Sequence, residues 1–137
     1  MEKKEFLTGK CIDISFEGKG VIKTEQGIVF VDGAFPNEEL EVYVEYTRAG
    51  TKFGKIRRLI TKSENRIQPL CGICTSCGGC QFQQLSYVAQ LEYKTNKVKD
   101  AFRRHFNKDF DVLACLGMDN PYHYRNKIQV PLGKDIH

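Results

Sequence analysis

The clearest pattern in the chain is an alternation. From Glu39 to Tyr46, the residues Leu40, Val42, Val44 and Tyr46 fall on one side, and Glu39, Glu41, Tyr43 and Glu45 on the other. A period of two is that of a half-buried strand. Residues 11–16 alternate as well, with Ile12, Ile14 and Phe16 on one side. Residues 20–24 and 27–32 flank a tight Glu25-Gln26-Gly27 turn and read as a hairpin. Gly33 and Pro36-Asn37 break the chain before the alternating strand, and residues 52–61 form a fifth strand that carries basic side chains. Five short strands with no helix of comparable length predict a small barrel.

Residues 63–82 show no period, and Pro69 opens a cysteine-rich loop. Beyond Gln84 the period changes. Val88, Leu91, Val98, Phe102 and Phe106, with Thr95 completing the spacing, recur in steps of three and four. That stripe predicts a helix over 84–106, with Ser86 as N-cap and Asn107 as its stop. The opposite face carries Lys94, Lys97, Arg103, Arg104 and Lys108, and is read as a solvated outer face. Residues 110–116 and 124–132 read as two further strands, separated by Gly117 and the Asn120-Pro121 turn. The last strand has no later partner in the sequence, so the final segment reads as the opening of a domain. The organisation expected is a mainly β barrel over 1–62, a cysteine loop over 63–83, and an α+β segment over 84–137.

Composition narrows the class. Of 137 residues, 41% are hydrophobic and 28% charged, the balance of a folded globular protein rather than a disordered one. No apolar run approaches the ~18 residues of a membrane span. The N-terminal MEKKEFLTGK has no apolar stretch after its charges, so no secretory leader is expected. A cytoplasmic protein without a membrane partner follows as the expectation.

Net charge is +4, but its placement carries more information than its size. Between Thr47 and Arg66 stand Arg48, Lys52, Lys55, Arg57, Arg58, Lys62 and Arg66 against a single acid, Glu64. A run of this kind is either a solvated strand or a surface for an anionic partner. Lys55, Arg57 and Arg58 are the foremost candidates to touch nucleic-acid phosphates, and Phe53 and Tyr46 the candidates to stack on a base. For Tyr46 the preferred reading is that it completes the core face, because it keeps step with Val42 and Val44.

Four of six cysteines lie within one loop: Cys71-Gly-Ile-Cys74-Thr-Ser-Cys77-Gly-Gly-Cys80. Thiolates select zinc, copper(I) or iron–sulfur clusters. Structural zinc commonly uses two C-x₂-C knuckles far apart, whereas one short loop with a thiol every third residue is the habit of a [4Fe–4S] cluster. Gly72, Gly78 and Gly79 suit a loop that must curl round a cluster. Zinc, disulfides and free thiols remain the alternatives. Cys11 and Cys115 read as small buried core residues.

These residues carry a resemblance. Cys71-x₅-Cys77-Gly78-Gly79-Cys80-Gln81-x-Gln83, followed by Tyr87, Gln90-Leu91 and Lys94, resembles the cluster signature of the RNA (uracil-5-)-methyltransferases of RumA type. The preceding Asn65-Arg66-Ile67-x-Pro69-x-Cys71 fits as well. Gly18-x-Gly20-Val21, Val29-Phe30-Val31-x-Gly33-Ala34 and Pro36-x-Glu38 resemble the TRAM domain, an OB-like RNA-binding module. Tyr122–Lys127 resembles the start of the central domain of those enzymes.

The resemblance implies the N-terminal part of a cytosolic enzyme that uses S-adenosylmethionine to methylate C5 of a uridine in 23S ribosomal RNA, acting as a monomer. Family members carry the cofactor loop, the cysteine nucleophile and the glutamate base in a later Rossmann-like domain, so no catalytic residue is assigned here, and the chain alone is expected not to methylate. Three cluster ligands match Cys71, Cys77 and Cys80. The fourth comes in the family from a cysteine further along the central domain. Cys74 is extra to the pattern and is the candidate substitute. Asn37 stands where the family turn has glycine, and Asn tolerates the left-handed region better than most residues. Arg125 and Lys127 join the candidates for RNA contact.

Competing readings are a non-catalytic RNA-binding module with a zinc or cluster clip, an iron–sulfur radical enzyme, and an electron-transfer protein. The radical enzymes that share the barrel use C-x₃-C-x₂-C and place the barrel last, which differs from the order here.

Overall fold

The computed structural model describes residues 5–129. Its elements run β1 (Phe6–Ile14), β2 (Lys19–Thr24), β3 (Gly27–Asp32), β4 (Glu39–Arg48), β5 (Thr51–Thr61), a single helical turn α1 (Cys74–Cys77) and the long helix α2 (Tyr87–Phe106). The strands close in the order β1-β2-β3-β5-β4. Neighbours are antiparallel except β3 and β5, which pair in parallel through Val29↔Lys52, Phe30↔Phe53 and Val31↔Gly54. This is an OB-like barrel: the strand pattern predicts a small barrel, and the resemblance implies its OB-like form. Closure removes the free sheet edges.

Inside lie Leu7, Cys11, Ile22, Val29, Val31, Ala34, Leu40 and Val42, with Val44, Ile56 and Leu59 packed against them. Each interior aliphatic side chain removed from water contributes roughly 1.5–3 kcal/mol. β4 and β5 meet at a two-residue turn, Ala49-Gly50, with φ of 48° and 79°. Positive φ at both positions matches the right-handed twist of the flanking strands. Gly54 sits where β4 passes closest, and a Cβ there would strike the Tyr43 carbonyl. Asn37 takes the left-handed region at φ 71°, as its place in the turn predicts.

Several expectations are corrected. In β1 the register shifts between Cys11 and Asp13. This bulge inserts one residue and changes which side points inward. Cys11 and Ile14 are therefore buried, while Ile12 and Phe16 are exposed, so Ile12, Ile14 and Phe16 do not share a face. In β4 a second shift falls between Val44 and Tyr46. Tyr46 leaves the core face and is 53% exposed.

The third correction concerns α2. Its ends are as the sequence predicts: Ser86 Oγ accepts from the Ala89 amide, and Asn107 adopts the left-handed cap conformation. Its orientation is reversed. Ala89 and Lys97 are the residues of α2 that are buried, while Val88, Val98, Phe102 and Phe106 are exposed. At 100° per residue, Ala89, Tyr93 and Lys97 lie opposite the apolar stripe.

Specific contacts explain the choice. Ile14, Phe35, Leu85 and Ala89 form a second core at one end of the barrel, joined by Phe82 and Tyr93. The Tyr93 hydroxyl donates to the Ser15 carbonyl at 2.6 Å, and the Lys97 ammonium donates to Asp13 Oδ2 at 2.9 Å. Lys97 is thus not a solvated side chain.

Residues 110–116 and 124–129 form no strand among the described residues; 130–132 of the second expected strand lie outside them. Backbone hydrogen bonding needs a partner, and none of the described strands pairs with this segment. Instead the chain lies along α2: the Cys115 amide donates to Thr95 Oγ1, and the Met118 amide to the Tyr87 hydroxyl. Cys115 is half-buried rather than part of a core, whereas Cys11 is a core residue as expected.

Candidate nucleic-acid surface and cysteine loop

The cysteine loop leaves β5 and returns beneath α2. Its thiols are free. Cys74 and Cys77 bound the helical turn α1, which the left-handed Gly78 terminates at φ 69°. That turn is not legible from the spacing alone. Gln83 bridges the two ends of the loop: its Oε1 accepts from the Cys71 amide at 3.2 Å, and its Nε2 reaches the Cys80 sulfur at 3.5 Å.

Burial, and after it the neighbouring Cys80, Cys71 and Cys77, push the Cys74 thiol above its ordinary range. Cys77 and Cys80 are exposed, Cys71 and Cys74 half-buried. Among the described residues no group of three His, Cys, Asp or Glu side chains is placed to hold a metal ion. The donor set fits a thiophilic cluster in chemistry, four free thiols on one loop, and ligation requires the loop to draw them together.

A joint of charged groups fixes this loop to the barrel. Glu38 is fully buried. Its carboxylate accepts from the Phe35 amide at 2.9 Å, the Ser63 amide at 3.3 Å, and Arg66 through Nε at 2.5 Å and Nη2 at 2.8 Å. The same guanidinium donates to the Gly33 carbonyl and to Gln84 Oε1, and lies 4.7 Å over the Phe35 ring. Arg66 therefore ties β-barrel, loop entry and loop exit together. It leaves the set of cations available to a partner.

The rest of the basic run is also partly neutralised. Lys52 pairs with Glu5 at 2.6 Å, Lys55 with Glu45 at 2.6 Å and Arg57 with Glu41 at 3.2 Å. The bond from Glu45 holds the Lys55 ammonium above its usual range. Arg57 also stacks over the Phe6 ring at 4.5 Å. Arg48, Arg58 and Lys62 are exposed and have no ion pair among the described residues. Carboxylates on β4 and, at Glu5, just before β1 are what the charge count along one strand cannot reveal.

Lys62 and Arg66, together with Leu59, Gln68, Thr75 and Gln84, line an open cleft of about 410 Å³ between the end of β5 and the cysteine loop. Cys71 and Cys74 reach the same cleft. Arg125 and Lys127 are exposed on the segment after α2, Arg125 beside the Tyr124 ring at 6.0 Å.

Phe53 stands on the outer wall of the barrel in a stack that its sequence position only half reveals. Its ring lies 5.0 Å from that of Tyr46 and 5.7 Å from that of Phe30. Phe30 joins them from β3. Val29 and Val31 on either side of it point into the core, so a period of two places Phe30 outside. No helix among the described residues is long and apolar enough to cross a membrane.

No family model matches the chain. Similarity to individual proteins is extensive. An uncharacterized RNA methyltransferase of Clostridium tetani is 46% identical over 130 residues, which is 95% of this chain and 27% of the relative. An uncharacterized RNA methyltransferase of Staphylococcus aureus strain COL is 39% identical over 135 residues, 97% of this chain and 30% of the relative. One of Staphylococcus epidermidis is 36% identical over 135 residues, 98% of this chain and 30% of the relative. Over almost its whole length the chain is homologous to proteins named RNA methyltransferases, and it spans 27–30% of their length.

Proposed function

We infer that the chain is the RNA-recognition part of an enzyme that methylates C5 of a uridine in 23S ribosomal RNA, with S-adenosylmethionine as methyl donor. One observation carries the reading: a closed OB-like barrel whose β5 displays cations and leads into a four-thiol loop, in a chain homologous to proteins named RNA methyltransferases. In this reading Arg58 and Lys62, with Arg48, meet phosphates directly. Lys55, Arg57 and Lys52 would exchange carboxylate partners for phosphates. The protein works in the cytoplasm as a monomer, and S-adenosylmethionine binds to a part of the enzyme that this chain does not contain.

Cys71, Cys77 and Cys80 would hold a [4Fe–4S] cluster, with Cys74 or a cysteine outside this chain as fourth ligand. The cluster would supply a rigid thiolate cross-link to the loop, since methylation of uracil at C5 consumes no electron. Gln83 and the Glu38–Arg66 joint hold the loop against the barrel.

Disruption of the gene that encodes the chain tests the activity. Mass spectrometry of digested 23S ribosomal RNA should lose one 5-methyluridine; an unchanged content overturns the reading. Anaerobic purification with iron and sulfide analysis tests the cluster. About four of each per chain are expected. Stoichiometric zinc without sulfide would favour a structural clip in a non-catalytic RNA-binding module.

A further inference from the structure

Phe30 of β3, Phe53 of β5 and Tyr46 of β4 bring three rings together on the outer wall of the barrel. Phe53 is the middle member, at 29° to Phe30 and 15° to Tyr46. The pairing register enforces the stack, because Phe30 and Tyr46 are both direct cross-strand partners of Phe53. The bulge between Val44 and Tyr46 is what carries the tyrosine out of the core and onto this wall.

The stack is not needed to fill the barrel, whose interior is occupied by Val29, Val31, Val42 and their neighbours. It costs exposure instead: Tyr46 is 53% exposed, and its hydroxyl has no hydrogen bond among the described residues. Aromatic surface held outward, in parallel layers and on rigid strands, is the form of a platform on which one more flat ring can be laid. The surroundings specify that ring. Arg48, two residues along β4, is exposed and without an ion pair among the described residues, and Lys52 follows next to Phe53. Lys52 pairs with Glu5, and further along β5 come Lys55 and Arg57, paired with Glu45 and Glu41, and then Arg58, which has no ion pair among the described residues. A flat apolar face beside a line of cations matches a nucleobase with its phosphodiester, not an apolar peptide.

We propose that Tyr46, backed by Phe53 and Phe30, is a stacking site for an unpaired base of single-stranded RNA. This rests on the RNA-binding reading above and adds the site. Every base presents a π-face, so the site is tolerant of sequence, but a base inside a duplex already has both faces covered. The platform therefore selects single strands.

The 137-residue chain is titrated with a short oligouridine carrying one 2-aminopurine, whose fluorescence falls on stacking. Tyr46→Ala should raise Kd by about five- to a hundredfold and abolish the quench, while Tyr46→Phe stays within about twofold of the wild type. Neither variant removes a charge, so the salt slope should be unchanged, which separates loss of stacking from loss of fold. Wild-type affinity in Tyr46→Ala, or equal affinity of the wild type for a duplex, overturns the platform and leaves the RNA-binding reading standing. A wild-type chain that binds neither single strand nor duplex overturns both.

Discussion

The barrel and the helix that follows it solve the same problem in opposite ways. In the barrel, the five strands close on one another round a shared aliphatic core drawn from within residues 6–61. In α2 the larger apolar stripe faces outward, and the helix is held to the barrel by its other side, through Ala89, a tyrosine hydroxyl and a lysine. Phe102, Phe106 and Phe110 cluster with one another there, at centroid distances of 5.1–5.9 Å. The difference teaches that amphipathic periodicity identifies a helix but does not choose its docking face. Specific partners at the barrel end, Ser15 and Asp13, decide that.

The comparison can be broken first at the joint between the two regions. Removing one member of a buried ion pair leaves the other charged and unpaired, which costs about 3–5 kcal/mol. Glu38→Ala should lose that much in urea unfolding, because it strands Arg66 and the amides of Phe35 and Ser63. A loss of under about 1 kcal/mol would mean that Arg66 finds water, and that the joint does not hold barrel and loop together.

The barrel core comes next. Leu40→Ala, at a fully buried site, should cost about 2–5 kcal/mol.

A smaller effect concerns pH. Burial raises the Cys11 thiol from 9.0 to about 12, with the Glu38 and Asp13 charges adding to it. Well below pH 9.0 the thiol is protonated in both folded and unfolded chains and has no influence on the slope. Between 9.0 and about 12 the unfolded chain releases this proton and the folded one keeps it, so stability falls as pH rises. The slope approaches at most about 1.4 kcal/mol per pH unit. Cys11→Ala should flatten the stability profile above pH 9.0 relative to wild type, and parallel profiles would contradict the burial.

The smallest effect should come from the outward stripe. Phe106 is 63% exposed. Phe106→Ala should leave stability within about 0.5 kcal/mol, in contrast to Leu40→Ala. A loss as large as that of the core variant would show that the stripe is covered.

Much of this was legible in the sequence, for physical reasons. Strands with strict alternation, such as β4 up to Val44, and the turn glycines declare themselves because period and φ are local properties. Ser86 and Asn107 are legible for the same reason, since a helix end needs a side-chain acceptor or a left-handed residue close at hand. The bulges in β1 and β4 are set by neighbouring strands, so the exposure of Ile12, Phe16 and Tyr46 could not be read from alternation alone. The pairing of Lys55, Arg57 and Arg66 is non-local as well, with carboxylates from 10 to 28 residues away in sequence. The expected strand at 110–116 shows the converse: β pattern without a partner strand does not make a strand.

The measurement that tests the account most directly is the affinity of the chain for single-stranded RNA across a range of salt, for the wild type and Arg58→Ala. The account predicts that log Kd rises steeply with log salt, by about 0.7 for each phosphate contacted, and that Arg58→Ala lowers the slope by about one such step. An affinity independent of salt, or no binding at low salt, would contradict it.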